Sequence, residues 1–345
     1  TYTNIYSGLL VFSLLEVKLY MDMDNILIDG LEYVNWNRDL FEKAYAGGLT
    51  AIHVTLVYWE DTKESFEKMD YWDNLIKSNS DILIQVKKSS DILEAKKSNK
   101  IGIIYGFQNS APIANDIFLV EKFFSRGLRF MQLTYNNQTP LAGGCFEKHD
   151  SGVSRFGEMV IEEMNRLGMI VDLSHAGRQT CLDAINFSKK PVAISHANPT
   201  FFHKSVRNID DDVLKQLVNK NGFIGLSLYP YHLKNHGDCK VENFCEMIKQ
   251  LINMIGEDSI GIGSDLCLNW PDSVVMWMRN GKWTKKIDYG ESKNKNTSWP
   301  KPVSWYSKPE DLNSLIIDMI SNGINEKIAY KIAGKNWLNF MAKQF

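Results

Sequence analysis

The sequence predicts an α/β chain folded as a single-domain (β/α)8 TIM-like barrel. Three observations predict it. Eight short apolar runs recur along the chain, most of them lack polar alternation, and the segments between them carry helical periodicity. A strand's side chains alternate between its two faces, so a run apolar at successive positions fits a parallel strand buried on both. Eight strand–helix units within 345 residues point to a closed barrel rather than an open sheet.

Taken in order, the strands are expected at Ile26–Leu31, Ala51–Leu56, Ile101–Phe107, Phe130–Leu133, Ile170–Leu173, Val192–Ser195, Phe223–Leu228 and Ile260–Gly263. Between the fourth and fifth, Phe156–Leu167 reads as a helix with Phe156, Met159, Val160 and Met164 on one face. Ser154 is placed to cap it by accepting a free first-turn N–H, and Gly168 to end it by entering the left-handed region. Asp210–Val218 and Val241–Met254 read as helices on the same grounds. Residues 270–306 are polar, tryptophan-rich and irregular, which predicts a long loop or lid after the eighth strand, followed by a C-terminal helical cap. The barrel is expected over residues 21–345, with 1–20 as an N-terminal extension. Its apolar stretch Gly8–Leu15 is too short to span a membrane and lacks the flanks of a signal peptide.

A hydrophobic fraction of 44% and a charged fraction of 23% suit a globular chain. The formal net charge of −2 points to neither nucleic acid nor an anionic membrane surface. The lysine pairs Lys87–Lys88 and Lys96–Lys97 read as solvated helix faces. The five cysteines, Cys145, Cys181, Cys239, Cys245 and Cys267, form no CxxC pair. This scatter argues against a disulfide framework or a thiolate zinc site and predicts a reducing, cytoplasmic setting.

In such a barrel the chemistry sits at the C-terminal ends of the strands. Those ends carry Asp29-Gly30-Leu31-Glu32-Tyr33, Phe107-Gln108-Asn109, Thr134-Tyr135-Asn136, Asp172-Leu173-Ser174-His175, Ser195-His196 and Ser264-Asp265. Two histidines and an aspartate at three strand ends are the residue types that suit zinc or a similar ion. His53, His149, His203, His232 and His236 show no comparable pattern and read as structural or surface groups, His53 being the one expected to face the barrel interior. Tyr33, Tyr58, Trp59 and Phe107 suggest an aromatic pocket mouth able to attract a methylated ammonium group, although plain packing also accounts for them.

Residues 152–177 (GVSRFGEMVIEEMNRLGMIVDLSHAG), 191–199 (PVAISHANP), the Arg207-Asn208 segment, 260–265 (IGIGSD) and 333–340 (AGKNWLNF) occur in an order that resembles the membrane (renal) dipeptidase family of zinc hydrolases. That resemblance implies a two-zinc barrel that hydrolyses dipeptides and often dimerises. By resemblance, His175 and His196 hold one metal, Asp265 serves a metal and the proton transfers, and Arg207, with Asn208 beside it, holds the substrate carboxylate.

The chain departs from the pattern where an HxD motif is expected, having Leu31-Glu32-Tyr33. Gln108 stands in place of a bridging glutamate and Tyr135 in place of a histidine. A leucine cannot ligate, and a neutral amide removes charge that would hold two cations together. The expectation is therefore one divalent metal, zinc first, on His175, His196, Asp265 and Gln108, and no second metal. Asp265 is the expected base, Tyr135 the oxyanion donor, and Arg207, Asn208 and Tyr33 the substrate contacts. The substrate is expected to be a dipeptide or another small carboxylate-bearing amide or amino-acid derivative. The rival expectation is a catalytically impaired barrel that binds an amino-acid-like or betaine-like ligand without hydrolysis. Strand alternation further predicts that Glu32 points away from the face shared by Leu31 and Tyr33.

Overall fold

A computed structural model describes residues 25–281, 289–290 and 298–345. The expected extension at 1–20 and parts of the expected loop at 270–306 lie outside the described residues.

Strand β1 (Ile28–Val34) is followed by α1 (Arg38–Ala46), β2 (Ala51–Val57), α2 (Thr62–Ser78), β3 (Leu83–Gln85), α3 (Ser90–Lys97), β4 (Ile101–Phe107) and α4 (Phe118–Arg126). Next come β5 (Leu128–Gln132), α5 (Arg155–Leu167), β6 (Ile170–Asp172), α6 (Arg178–Phe187), β7 (Ala193–Ala197), α7 (Asp211–Asn219), β8 (Phe223–Leu226) and α8 (Val241–Ile255). The chain ends with β9 (Ile260–Ile262), β10 (Leu266–Leu268), α9 (Ser273–Asn280), α10 (Asp311–Ser321), α11 (Glu326–Tyr330) and α12 (Asn336–Met341).

All strand pairs are parallel, in the order β10-β1-β2-β4-β5-β6-β7-β8-β9. The two ends of that order are one stretch of chain. Ile260–Ile262 pairs with β8, and after Gly263-Ser264-Asp265 the same chain pairs with β1 through Leu266–Leu268. The ring therefore closes with β9 and β10 as a single broken stave. β3 lies off the ring beside the start of β4, on the edge that β5 takes over further along.

Three expectations differ from the structure. The eighth strand does not stop at Gly263 but resumes at Leu266, and the first runs on to Val34 because it pairs with that continuation. Part of the expected loop, Ser273–Asn280, is helical.

The cap readings hold. The Ser154 side chain accepts from Gly157 N at 3.0 Å, and Gly168 is left-handed at φ 87°. Helix α5 buries Gly157, Val160, Ile161 and Met164, with Phe156 half-buried. Met159, expected on that face, is exposed. The i, i+3, i+4, i+7 set from Gly157 turns it toward solvent.

The barrel's lower layer is apolar: Ile28, Ala51, Ile104, Phe130, Ile170, Ala193 and Phe223 meet the fully buried Trp337 of α12. The indole Nε1–H donates to Ile262 O at 2.7 Å. A Cβ at Gly30 would lie 2.3 Å from the indole and one at Gly261 2.6 Å from it. Those glycines therefore make room for the plug. His53 sits within the barrel as expected, its ring 4.3 Å from that of Phe130, and burial pushes its pKa down to about 4. Among the described residues no helix is long and apolar enough to cross a membrane, and all five cysteines are free.

Candidate active site

The strand ends build the site. Strand β6 delivers Asp172 and, three residues on, His175. Strand β7 carries His196, β4 leads into Gln108, and the segment after β5 supplies Tyr135 and Asn136. His175 Nε2 lies 3.0 Å from His196 Nε2 and 2.9 Å from Gln108 Oε1. Three acceptor-capable atoms thus converge at the barrel mouth, on side chains that are buried.

Each member is braced. Gln108 Nε2 donates to Thr55 Oγ1 at 2.8 Å and to Tyr58 OH at 3.2 Å, which turns its carbonyl toward the histidines. His175 Nδ1 meets Asn136 Oδ1 at 2.5 Å, and His196 Nδ1 meets Ser195 Oγ at 2.8 Å. Behind them, Asp172 Oδ1 accepts from Ser174 Oγ at 2.6 Å and from Ser195 N at 3.0 Å, while Oδ2 accepts from Ser195 Oγ at 2.5 Å. Arg207 is buried, donates to the carbonyls of Ser174 and His196, and holds Nη2 3.3 Å from His175 Nε2. Burial, and then the positive charge of Arg207, push both imidazoles well below their usual pKa, so they are neutral at pH 7.

A narrow cavity of about 40 Å³ opens above His175. It brings Gln108, Tyr135, His175, Arg207 and Asp265 together, along with His232, Tyr58 and Trp299. His232 was expected to be structural or at the surface. It is buried and braced as a structural group, with Nδ1 2.8 Å from Ser227 Oγ, and it also lines the cavity. It comes from the short 3-10 turn after β8, and the strand-end rule looks only at the strand ends themselves.

The structure does not bring two expected contacts to this cavity. Asn208 spends its amide on the loop: Oδ1 accepts from Asn198 N at 3.1 Å, and Nδ2 donates to His203 O at 2.8 Å and His232 O at 3.0 Å. Tyr33 lies beside the cavity, stacked on Trp270 at 4.9 Å and edge-on to Tyr58 at 4.7 Å. Tyr58 and Trp59 join that aromatic cluster as expected. Phe107 does not, because it packs outward on Phe123 at 5.1 Å.

Among the described residues no three His, Cys, Asp or Glu side chains gather to hold a metal. Asp265 occupies the left-handed break between β9 and β10, at φ 54°, and lines the cavity with His175. Glu32 points away from the cavity, as alternation predicts. It is fully buried beside the carboxyl of Asp29.

The donor set fits one metal ion. Two neutral imidazoles and an amide oxygen converge on one point, each with its other end fixed, and imidazole suits zinc, copper, iron and nickel. The strand-one mouth does not fit another. It presents Leu31 and the packed phenol of Tyr33, whose pKa burial pushes far up.

Residues 32–272 match the membrane dipeptidase family, peptidase family M19. The chain is 31% identical to an uncharacterized dipeptidase, C965.12, of Schizosaccharomyces pombe over 59% of its own length and 50% of that protein. It is 29% identical to the dipeptidase tcpJ of Claviceps purpurea over 67% of its length and 58% of that protein. The chain thus spans between half and three fifths of the length of these curated relatives. A solved amidohydrolase from Pseudomonas aeruginosa superposes with a TM-score of 0.88 at 33% identity, covering 94% of this chain and 98% of that one. A metallo peptidase from Rhodobacter sphaeroides shares the fold at 15% identity, with a TM-score of 0.76 over 93% and 99% of the two chains. With its family match extending from the first strand past the last, this chain belongs to the membrane dipeptidase family.

Proposed function

We propose that the chain is an amide hydrolase of dipeptidase type that works with one divalent metal ion, zinc first. The proposed substrate is a dipeptide or another small carboxylate-bearing amide or amino-acid derivative. The observation that carries this reading is the convergence of His196 Nε2 and Gln108 Oε1 on His175 Nε2, at 3.0 and 2.9 Å. These are the residues that would hold the ion. Bound there, it supplies carbonyl polarisation and a water acidified toward a pKa of ~7.

The remaining chemistry belongs to the chain's own side chains. Asp265, on the cavity wall, accepts the proton of the attacking water. Tyr135 offers its hydroxyl to the developing oxyanion. Arg207 faces the same cavity and holds the substrate carboxylate, with a planar fork suited to that shape. The aromatic cluster of Tyr33, Tyr58 and Trp270 screens the mouth from water. The names of the relatives, dipeptidases and an amidohydrolase, support the reaction class.

Metal analysis after expression with added zinc, manganese or iron tests the reading. About one equivalent per chain is expected, lost in His175→Ala and in His196→Ala, and less than about half an equivalent overturns it. A second reading, a barrel that binds its ligand without hydrolysing it, is favoured by the small cavity. Retained metal with no turnover of dipeptides, N-acyl or N-methyl amino acids selects that second reading.

A further inference from the structure

We infer that Ser195, carried by Asp172, and Asn136 are positioning residues that lock His196 and His175 in the tautomer bearing its proton on Nδ1. Both Nε2 atoms are then left bare and turned on each other. This inference rests on the one-metal reading for its use, but not for its geometry.

Asp172 is an acceptor whose Oδ1 is filled by Ser174 Oγ, Ser174 N and Ser195 N at 2.6, 3.1 and 3.0 Å. Its Oδ2 takes the Ser195 hydroxyl at 2.5 Å and Gln132 Nε2 at 3.1 Å. A hydroxyl has one proton to give. With that proton on Asp172, Ser195 Oγ can only accept from His196 Nδ1, 2.8 Å away. His196 therefore carries its proton on Nδ1 and leaves Nε2 bare.

The same result follows for His175 by a separate route. Asn136 Nδ2 donates to Tyr289 O at 2.5 Å, which fixes the amide so that Oδ1 faces His175 Nδ1 at 2.5 Å. An amide oxygen only accepts, and a neutral ring has one proton for two such oxygens; Asn136 Oδ1 at 2.5 Å from Nδ1 is the closer, against Gln108 Oε1 at 2.9 Å from Nε2, so Nδ1 carries the proton. Arg207 reports on the other side of the ring. A guanidinium has donors only, and its Nη2 faces His175 Nε2 at 3.3 Å. That nitrogen must accept, so it is bare.

Two bare imidazole nitrogens 3.0 Å apart, with Gln108 Oε1 at 2.9 Å from one of them, repel where no cation stands between them, and Arg207 Nη2 at 3.3 Å offsets this at His175 only in part. A side chain that sets a tautomer thereby sets the affinity of the pair. Loss of such a partner ordinarily costs about 10–100-fold in metal affinity.

Long-range proton–nitrogen NMR on the metal-stripped full chain reads the tautomers directly, and cobalt(II) titration by visible absorbance reads affinity. In the unsubstituted chain both rings should show a protonated Nδ1 and an unprotonated Nε2. Ser195→Ala should mix the His196 tautomers, and Asn136→Leu those of His175. Each should weaken cobalt binding about 10–100-fold, while Asn136→Asp, which keeps an acceptor, should retain tautomer and affinity. An Nε2–H ring in the unsubstituted chain overturns the inference. So does binding within twofold in both Ser195→Ala and Asn136→Leu. If the tautomers are as stated but the unsubstituted chain binds no cobalt, the one-metal reading fails and the tautomer assignment stands.

Discussion

Glu32 sits on β1 with its carboxyl fully buried, against the carboxyl of Asp29 and with Glu310 as a further acidic neighbour. Burial, and then the charge of Asp29, push its pKa well up, and burial does the same to Asp29. Ser264 N donates to Asp29 Oδ1 at 2.8 Å and the Tyr306 hydroxyl to Oδ2 at 3.1 Å, but neither reaches Glu32. A carboxyl whose pKa is raised in the folded state binds its proton more tightly there than when unfolded. Its contribution is complete below the ordinary carboxylate range and is lost as pH rises from that range through the raised folded value. Glu32→Gln should therefore raise stability at neutral pH by on the order of 1–3 kcal/mol. It should also flatten the fall of Tm between weakly acidic and neutral pH. A variant less stable than the parent at pH 7 and equally pH-dependent would contradict this account. Glu32 is no substitute for a lost metal ligand, since alternation along β1 sends it to the opposite side from Tyr33.

At the scale of elements, what positions the histidines is how closely β7, β8 and β9 approach one another. A Cβ at Gly263 would lie 1.8 Å from Ser195 O and one at Gly225 2.0 Å from the same atom. Both contacts are with backbone, which cannot move aside as a flexible side chain can. Gly263→Ala should therefore shift β7 and cost about 1–3 kcal/mol. It should also weaken metal binding, because Ser195 precedes His196. Calorimetry alongside a cobalt titration would check both, and an unchanged Tm would show that the strands have more room than the geometry allows. The break between β9 and β10 acts on the same scale. By turning left-handed at Asp265, the chain leaves β8 and joins β1, and it carries the expected base to the cavity wall.

The whole molecule depends on its last helix. Trp337 of α12 is fully buried among residues from seven different strands, and its N–H is satisfied by Ile262 O. Removing it would empty the floor of the barrel beneath the site. Trp337→Ala should cost about 3–5 kcal/mol, seen as an earlier midpoint in urea unfolding. A loss below about 1 kcal/mol would mean that the floor refills by collapse of its neighbours. The chain therefore closes its barrel twice, sideways through the broken eighth stave and from below through a residue near its end.

The apolar runs determined the barrel by themselves, because a strand buried on both faces leaves a local signature. The capping serine and terminating glycine of α5 were legible for the same reason. The strand-end rule also located His175, His196, Gln108, Tyr135 and Asp265. Only the tertiary structure decided which of these meet. It gathered the two histidines with Gln108, placed Asp265 on the wall of the same cavity, kept Asn208 for its own loop and brought His232 to the cavity. The sequence has no local mark for such outcomes, since they depend on distances between residues far apart in the chain. The missing part of the metal set was readable as Leu31 and Tyr33. What fills its place, an aromatic cluster drawn from β1 and the segments after β2, β5 and β10, emerged only once the ring had closed.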